Sequence, residues 1–254
     1  MGPMRIAYRE HLDNFAHDLI VMCDTVRSIM TNASAALLDA ALEPAEDAIS
    51  CAEPLEEIRT RCEDRAVQLL ALEGPVARDL RQVVSSIYIV EDFDRMAALA
   101  IHIAKAARRR HPEHAIPVQL LGYFKEMARL VEEMGEKTRD ILVDPNADVA
   151  LVLNEDDDAI DDLNEYMLTM LTMREWEHTT REAVDVALLS RYYERYADHC
   201  VNVAARIVYL TSGLTPDEYT EKQERDRADA DIAARFAELE RQFSDRGHRP
   251  PPAG

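Results

Sequence analysis

Two long windows of this chain lack the residues that end helices. No glycine or proline lies between Pro75 and Pro112, and none lies between Pro145 and Gly213. A strand-rich chain turns often, and its turns draw on Gly and Pro. Windows this long therefore leave helix as the regular structure that fits. Within them the apolar residues recur at helical spacing: Val186, Leu189, Tyr193, Tyr196, Cys200, Val203 and Ile207 follow steps of 3, 4, 3, 4, 3 and 4. Such a heptad-like seam suits packing inside a bundle. The residue supply agrees, because Ala, Leu, Glu, Asp, Arg and Met are mostly helix-compatible and only seven glycines occur in 254 residues.

Caps and breakers place the helix ends. "SCAE" (50–53), "TTRE" (179–182) and "TPDE" (215–218) each have the spacing of a capping box. In "LEGPVARDLR" (72–81), Gly74 is positioned to end one helix and Pro75 to open the next. Pro112, Pro117 and Pro145 mark further breaks. These signals predict long helices near 6–42, 46–72, 76–110, 118–143, 148–175 and 180–211, with a shorter charged helix from 217.

The six long helices fall into two sets of three that resemble each other. "LEEIRTRCEDRAVQLL" from 55 pairs with "IDDLNEYMLTMLTMRE" from 160, an offset of 105. "LRQVVSSIYIVEDFDRMAALAIHIAK" from 80 pairs with "TREAVDVALLSRYYERYADHCVNVAA" from 180, an offset of 100. The predicted architecture is all-α, a tandem repeat of two three-helix bundles over 4–112 and 117–215. Residues 216–254 form a C-terminal extension, partly helical and then disordered at its Pro-rich end.

Charge narrows the partners. With 29 basic and 49 acidic residues the formal charge is −20, which argues against nucleic acid. "KAARRRH" (105–111) is a local basic patch, read most simply as cations at a helix C-terminus. Cys23, Cys51, Cys62 and Cys200 form no C-x-x-C pair and read as free thiols of a reducing cytoplasm. No apolar run reaches the roughly 18 residues of a membrane span, and the N-terminus has no secretory signal.

The pattern richest in chemistry is acidic. Glu194 and Asp198 lie four apart in "YERYADHCVNVA", and Asp157 and Asp161 lie four apart in "NEDDDAIDDLNEY". Four apart means one helix face. Both pairs sit beside core seams, the second beside Ile160, Leu163 and Met167. Two packed helices then bring four carboxylates to one edge, where unpaired like charges repel. A hard, oxygen-preferring cation such as Mg²⁺, Mn²⁺, Ca²⁺ or iron relieves this. Arg191 and Arg195 are alternative counter-ions, and His199 can add a nitrogen ligand or a supporting bond. There is no phosphate-binding Gly loop, nucleophile elbow or H-E-x-x-H. A di-iron oxidase would need two E-x-x-H motifs, and only Glu175 to His178 has that spacing. No enzyme is expected.

"YYERYADHCVNVA" resembles the signature of the PhoU family, E-R-x-x-D-H among apolar residues. "LLALEGPVARDLRQVV" (69–84), "DDAIDDL" (157–163) and the start "MRIAYREHL" resemble that family as well. The likeness begins at Met4, read as the natural start with "MGP" an added leader, and covers about 4–215. It implies tandem three-helix bundles with E/D-x-x-x-D metal clusters, here Asp157, Asp161, Glu194 and Asp198, holding iron, manganese, magnesium or zinc. It also implies a cytoplasmic negative regulator held at the inner membrane face by its partners; homodimerisation is a separate expectation, from a bundle with spare apolar faces. Those partners are the ATPase subunit of the phosphate ABC transporter and a sensor histidine kinase. The first half departs from the pattern: the family's E-R-x-G-D falls on "DRMAA", with Asp94 for Glu and Ala98 at the second carboxylate. With Glu53 and Glu56 facing it, that site is expected to be weak or lost unless Glu91 or Asp92 substitutes. The alternative function is a metal-dependent enzyme or metal store.

Overall fold

The computed structural model describes residues 3–73 and 77–246. Among them the chain forms eight α-helices and no strand: α1 (Pro3–Asp39), α2 (Leu42–Ser50), α3 (Ala52–Glu73), α4 (Arg78–Arg110), α5 (Leu121–Val143), α6 (Ala147–Met173), α7 (Thr180–Ser212) and α8 (Pro216–Arg246). A single 3-10 turn at Val118–Leu120 leads into α5. The chain divides after Gly213 into two units. The first holds α1–α7, and the second is built on α8, a mostly exposed helix of high charge.

The two three-helix sets are α1, α3, α4 and α5, α6, α7. Their third helices, α4 and α7, pack along each other, while α1 packs on α4 and α5 and α5 packs on α7. These four helices form the centre of the unit, and α3 and α6 flank it from either half. The α7 seam predicted from spacing lies wholly inside, since Val186, Leu189, Tyr193, Tyr196, Cys200, Val203 and Ile207 are all at most 2% exposed. Phe15, Phe93 and Phe124 fill the same core, and the Phe124 and Tyr193 rings meet edge-on with centroids 6.2 Å apart. Each such side chain contributes about 1.5–3 kcal/mol through burial. A buried hydrogen bond of 2.9 Å between Ser34 and the Tyr193 hydroxyl ties α1 to α7.

Polar residues fix the ends and crossings. Thr179 caps α7 in a complete capping box with Glu182, and Thr215 and Glu218 do the same for α8. Gly213 ends α7 at φ +79, with its N–H donated to the Tyr209 carbonyl over 2.8 Å. Ser50 does not cap as its spacing predicts: its hydroxyl donates to the Asp47 carbonyl, at the end of α2 instead of the start of α3. The helix expected at 6–42 ends at Asp39, because Ala40 turns to φ +50. The helix from 217 runs to Arg246, longer than expected. Gly74 and Pro75, and the expected disorder of the Pro-rich end, lie outside the described residues.

The basic patch is absorbed internally. Arg110 meets Asp185 of α7 at 2.9 Å, Arg109 approaches the same carboxylate at 3.8 Å, and Arg108 lies 3.4 Å from Glu46. Cys23, Cys62 and Cys200 are buried free thiols, with Cys51 less buried and also free. Among the described residues no helix is long and apolar enough to cross a membrane.

Candidate metal centre

The four candidate ligands come from two helices that pack together, Asp157 and Asp161 from α6 and Glu194 and Asp198 from α7. Burial on α6 follows steps of 3 and 4 through Ala150, Leu153, Asp157, Ile160, Asn164 and Met167. Asn164 is buried within this stripe and Asp157 is part-buried on it, as is Leu163 beside it, while Asp161 is exposed. On α7, Glu194 has an 8% exposed side chain and Asp198 a 29% exposed one. The site is therefore graded, with Asp157 and Glu194 inner and Asp161 and Asp198 outer.

The four carboxylates lie close enough for their charges to act on one another. Burial, then the charges of Asp161, Asp198 and Glu194, pushes Asp157 up to about 7. Asp161 is raised by burial and by Asp198, against the pull of Arg191. Glu194 is raised by burial and Asp198, again opposed by Arg191. Two arginines of α7 partly answer this charge: Arg191 pairs with Glu194, and Arg195 donates to Asp198 at 2.9 Å. Both lie three residues before their partners and grip one oxygen each.

Two oxygens remain without a donor. Asp157 Oδ1 and Glu194 Oε2 are buried and make no hydrogen bond. An unpaired buried acceptor costs about 1–3 kcal/mol, more when charged, so the pair fits a cation as its missing partner. Among the described residues no three His, Cys, Asp or Glu side chains are already gathered closely enough to hold a metal ion.

His199 turns elsewhere. Its Nδ1 is 2.9 Å from Asp92 Oδ1, joining α7 to α4 with both side chains largely buried. His102 stacks on Tyr192 with centroids 5.4 Å apart. The Asp92 bond was not visible in spacing, since its partners are 107 residues apart.

The first half differs. Asp94 and Glu56 come together, but around Arg59 of α3, which donates to Glu56 at 2.9 Å and lies 3.8 Å from Asp94. Glu53 lines a groove with His11, Glu57 and Arg61. The two substitutes considered for the missing carboxylate are engaged, Glu91 with Arg95 at 3.0 Å and Asp92 with His199. Asp94 is raised by burial, with Arg59 opposing.

The family model for the PhoU domain matches residues 19–107 and 124–207, one match for each half. The phosphate-specific transport system accessory protein PhoU homolog 2 of Mycobacterium tuberculosis is 46% identical over 213 residues, 84% of this chain and 100% of that protein. PhoU homolog 1 of Mycobacterium leprae is 43% identical over 217 residues, 85% of this chain and 98% of that protein. The crystal structure of PhoU from Pseudomonas aeruginosa superposes with a TM-score of 0.74 at 23% identity, covering 82% of this chain and 100% of that one. That likeness supports the fold, tandem three-helix bundles.

Proposed function

The chain belongs to the PhoU family, and from that premise we propose that it is an accessory regulator of phosphate-specific transport. In this reading it restrains phosphate uptake and phosphate-starvation signalling by joining the transporter's ATPase subunit to a sensor histidine kinase. The observation that carries the role is the alignment with the M. tuberculosis accessory protein along that relative's entire length. The protein acts in the cytoplasm, as a homodimer held at the inner membrane face by its partners, and has no catalytic residue.

The acidic edge of α6 and α7 is the functional surface. Asp157, Asp161, Glu194 and Asp198 are the residues that would hold a cation, and the two donorless buried oxygens support that assignment. A donor set of carboxylate oxygens alone suits iron, manganese or magnesium better than zinc. The bound ion supplies the positive charge that lets these carboxylates approach. Asp157 and Glu194 contribute from the core side and fix how α6 lies on α7. Asp161 and Asp198 contribute from the outer side and shape the surface a partner meets, with Arg191 and Arg195 as mobile counter-ions.

The role is tested by retention on immobilised transporter ATPase and on the kinase's cytoplasmic domain. The unmodified protein is expected on both supports, and Glu194→Gln/Asp198→Asn is expected to bind both more weakly. Failure of the unmodified protein to bind either would remove the adaptor reading. Equal binding by the variant would remove the acidic edge from it.

A further inference from the structure

The repeat makes the two halves each other's control. At an offset of 100, Asp94 corresponds to Glu194 and Ala98 to Asp198; at an offset of 105, Glu56 corresponds to Asp161 and Arg59 to Asn164. One half thus has a neutral, buried Asn164 whose Oδ1 makes no hydrogen bond, on the same stripe of α6 as Asp157. The other half has a permanent cation at the same repeat position.

Arg59 spans its site. Its Nη2 donates to Glu56 Oε1 at 2.9 Å, its Nε lies 3.8 Å from Glu63, and its Nη1 lies 3.8 Å from Asp94 across the α3–α4 boundary. Glu56, Glu63 and Asp94 thereby share one guanidinium. The other local arginine, Arg95, is paired with Glu91. In the second half the arginines belong to α7, beside their own carboxylates, and no cation reaches across from α6. The two sites also differ in depth: the Glu56 and Asp94 side chains are 57% and 37% exposed, whereas one oxygen each of Asp157 and Glu194 is buried without a hydrogen bond.

We propose that Arg59 is a built-in replacement for metal: its guanidinium takes the place of a bound cation between α3 and α4, so the first half is held together without metal and only the second half responds to it. This deepens the metal reading above by assigning the chain one metal-responsive half and one permanently locked half. The absence of a carboxylate at Ala98 and the presence of Arg59 are then two sides of one exchange. A guanidinium remains charged at any physiological pH, so the lock does not depend on metal supply.

The test uses the full chain carrying Glu194→Ala/Asp198→Ala, which silences the second half, and manganese(II) as the probe. Uptake is measured by equilibrium dialysis and elemental analysis. Ala98→Asp alone is expected to bind no better than its parent, because Arg59 still occupies the space. Arg59→Gln/Ala98→Asp is expected to bind at least roughly tenfold more tightly, since the repelling charge is gone. Arg59→Lys/Ala98→Asp keeps that charge and is expected to stay empty, which separates charge from side-chain shape. Equal uptake by Ala98→Asp and the Arg59→Gln double variant, or none by either, would overturn the proposal. Arg59→Gln by itself is expected to melt lower at low salt, with the deficit shrinking at high salt. A deficit that salt does not change would also overturn it. Metal content of the second half is scored separately on the chain with intact Glu194 and Asp198, so failure there leaves this result readable.

Discussion

Replacing Asp157 by Asn should stabilise the metal-free protein at mildly alkaline pH, although it alters a residue of the proposed site. Asp157 stands in the packed stripe of α6 with one buried oxygen lacking a donor, and its carboxyl is raised from 3.8 to about 7. At about 1.4 kcal/mol per unit, a shift of that size is worth at most ~4 kcal/mol. The side chain is only part-buried, so solvent screening reduces the figure, and we expect ~1–2 kcal/mol. The sign follows from proton binding. At about pH 8 the group is ionised in folded and unfolded chains alike, and the fold bears the full cost of the buried charge. As pH falls through about 7 the folded protein takes up a proton that the unfolded chain does not bind until about 3.9. Stability therefore rises as pH falls, and the gain is complete below the unfolded value. Asn cannot ionise and shows no such rise. After chelation, thermal melts followed by circular dichroism should place Asp157→Asn about 2–8 °C above the unmodified protein near pH 8. The gap should narrow towards pH 5 and close only below about pH 4. A variant that melts lower at both pH values, or a gap that does not change with pH, would refute the reasoning. With saturating metal present, the order should reverse.

Three further outcomes follow from the packing. Asp18 is 5% exposed and holds Arg61 and Arg65 of α3 at 3.0 Å each, so Asp18→Asn should cost about 2–4 kcal/mol in urea unfolding by leaving two cations against α1 without their carboxylate. Thr179→Ala removes the α7 capping box and should cost about 1 kcal/mol, read as a lower melting temperature with unchanged metal content. For the buried Ser34–Tyr193 bond, Ser34→Ala and Tyr193→Phe should each destabilise, and their double variant should lose about 1 kcal/mol less than the sum, measured by a double-mutant cycle.

The long helices were legible because their signals are local. Breaker-free windows, the 3-4 seam of α7 and the Thr179 and Thr215 boxes all act within a few residues. The misread boundaries also have local causes that the residue types hide. Ala40 ends α1 by adopting φ +50, a conformation that alanine does not advertise. Ser50 and Glu53 have capping-box spacing, yet the chain bends at Cys51 and Ser50 serves the preceding helix. Spacing placed Asp157 beside the seam; the structure leaves it part-buried, in register with the buried Asn164. Within the site, the i,i+4 pairs could be read from sequence, but their companions could not. His199 finds Asp92, and Arg59 reaches Asp94, only because α4 lies against α7 and α3. The resemblance marked the first half as deficient through Ala98; the arginine that fills it needed three-dimensional contact.

The most direct measurement is elemental analysis of protein purified without a metal-affinity resin, beside the Glu194→Ala/Asp198→Ala variant, each before and after incubation with iron, manganese or magnesium. Metal is expected in the unmodified protein and is expected to be lost from the variant. No metal in the unmodified protein after incubation, or the same content in both, would contradict it.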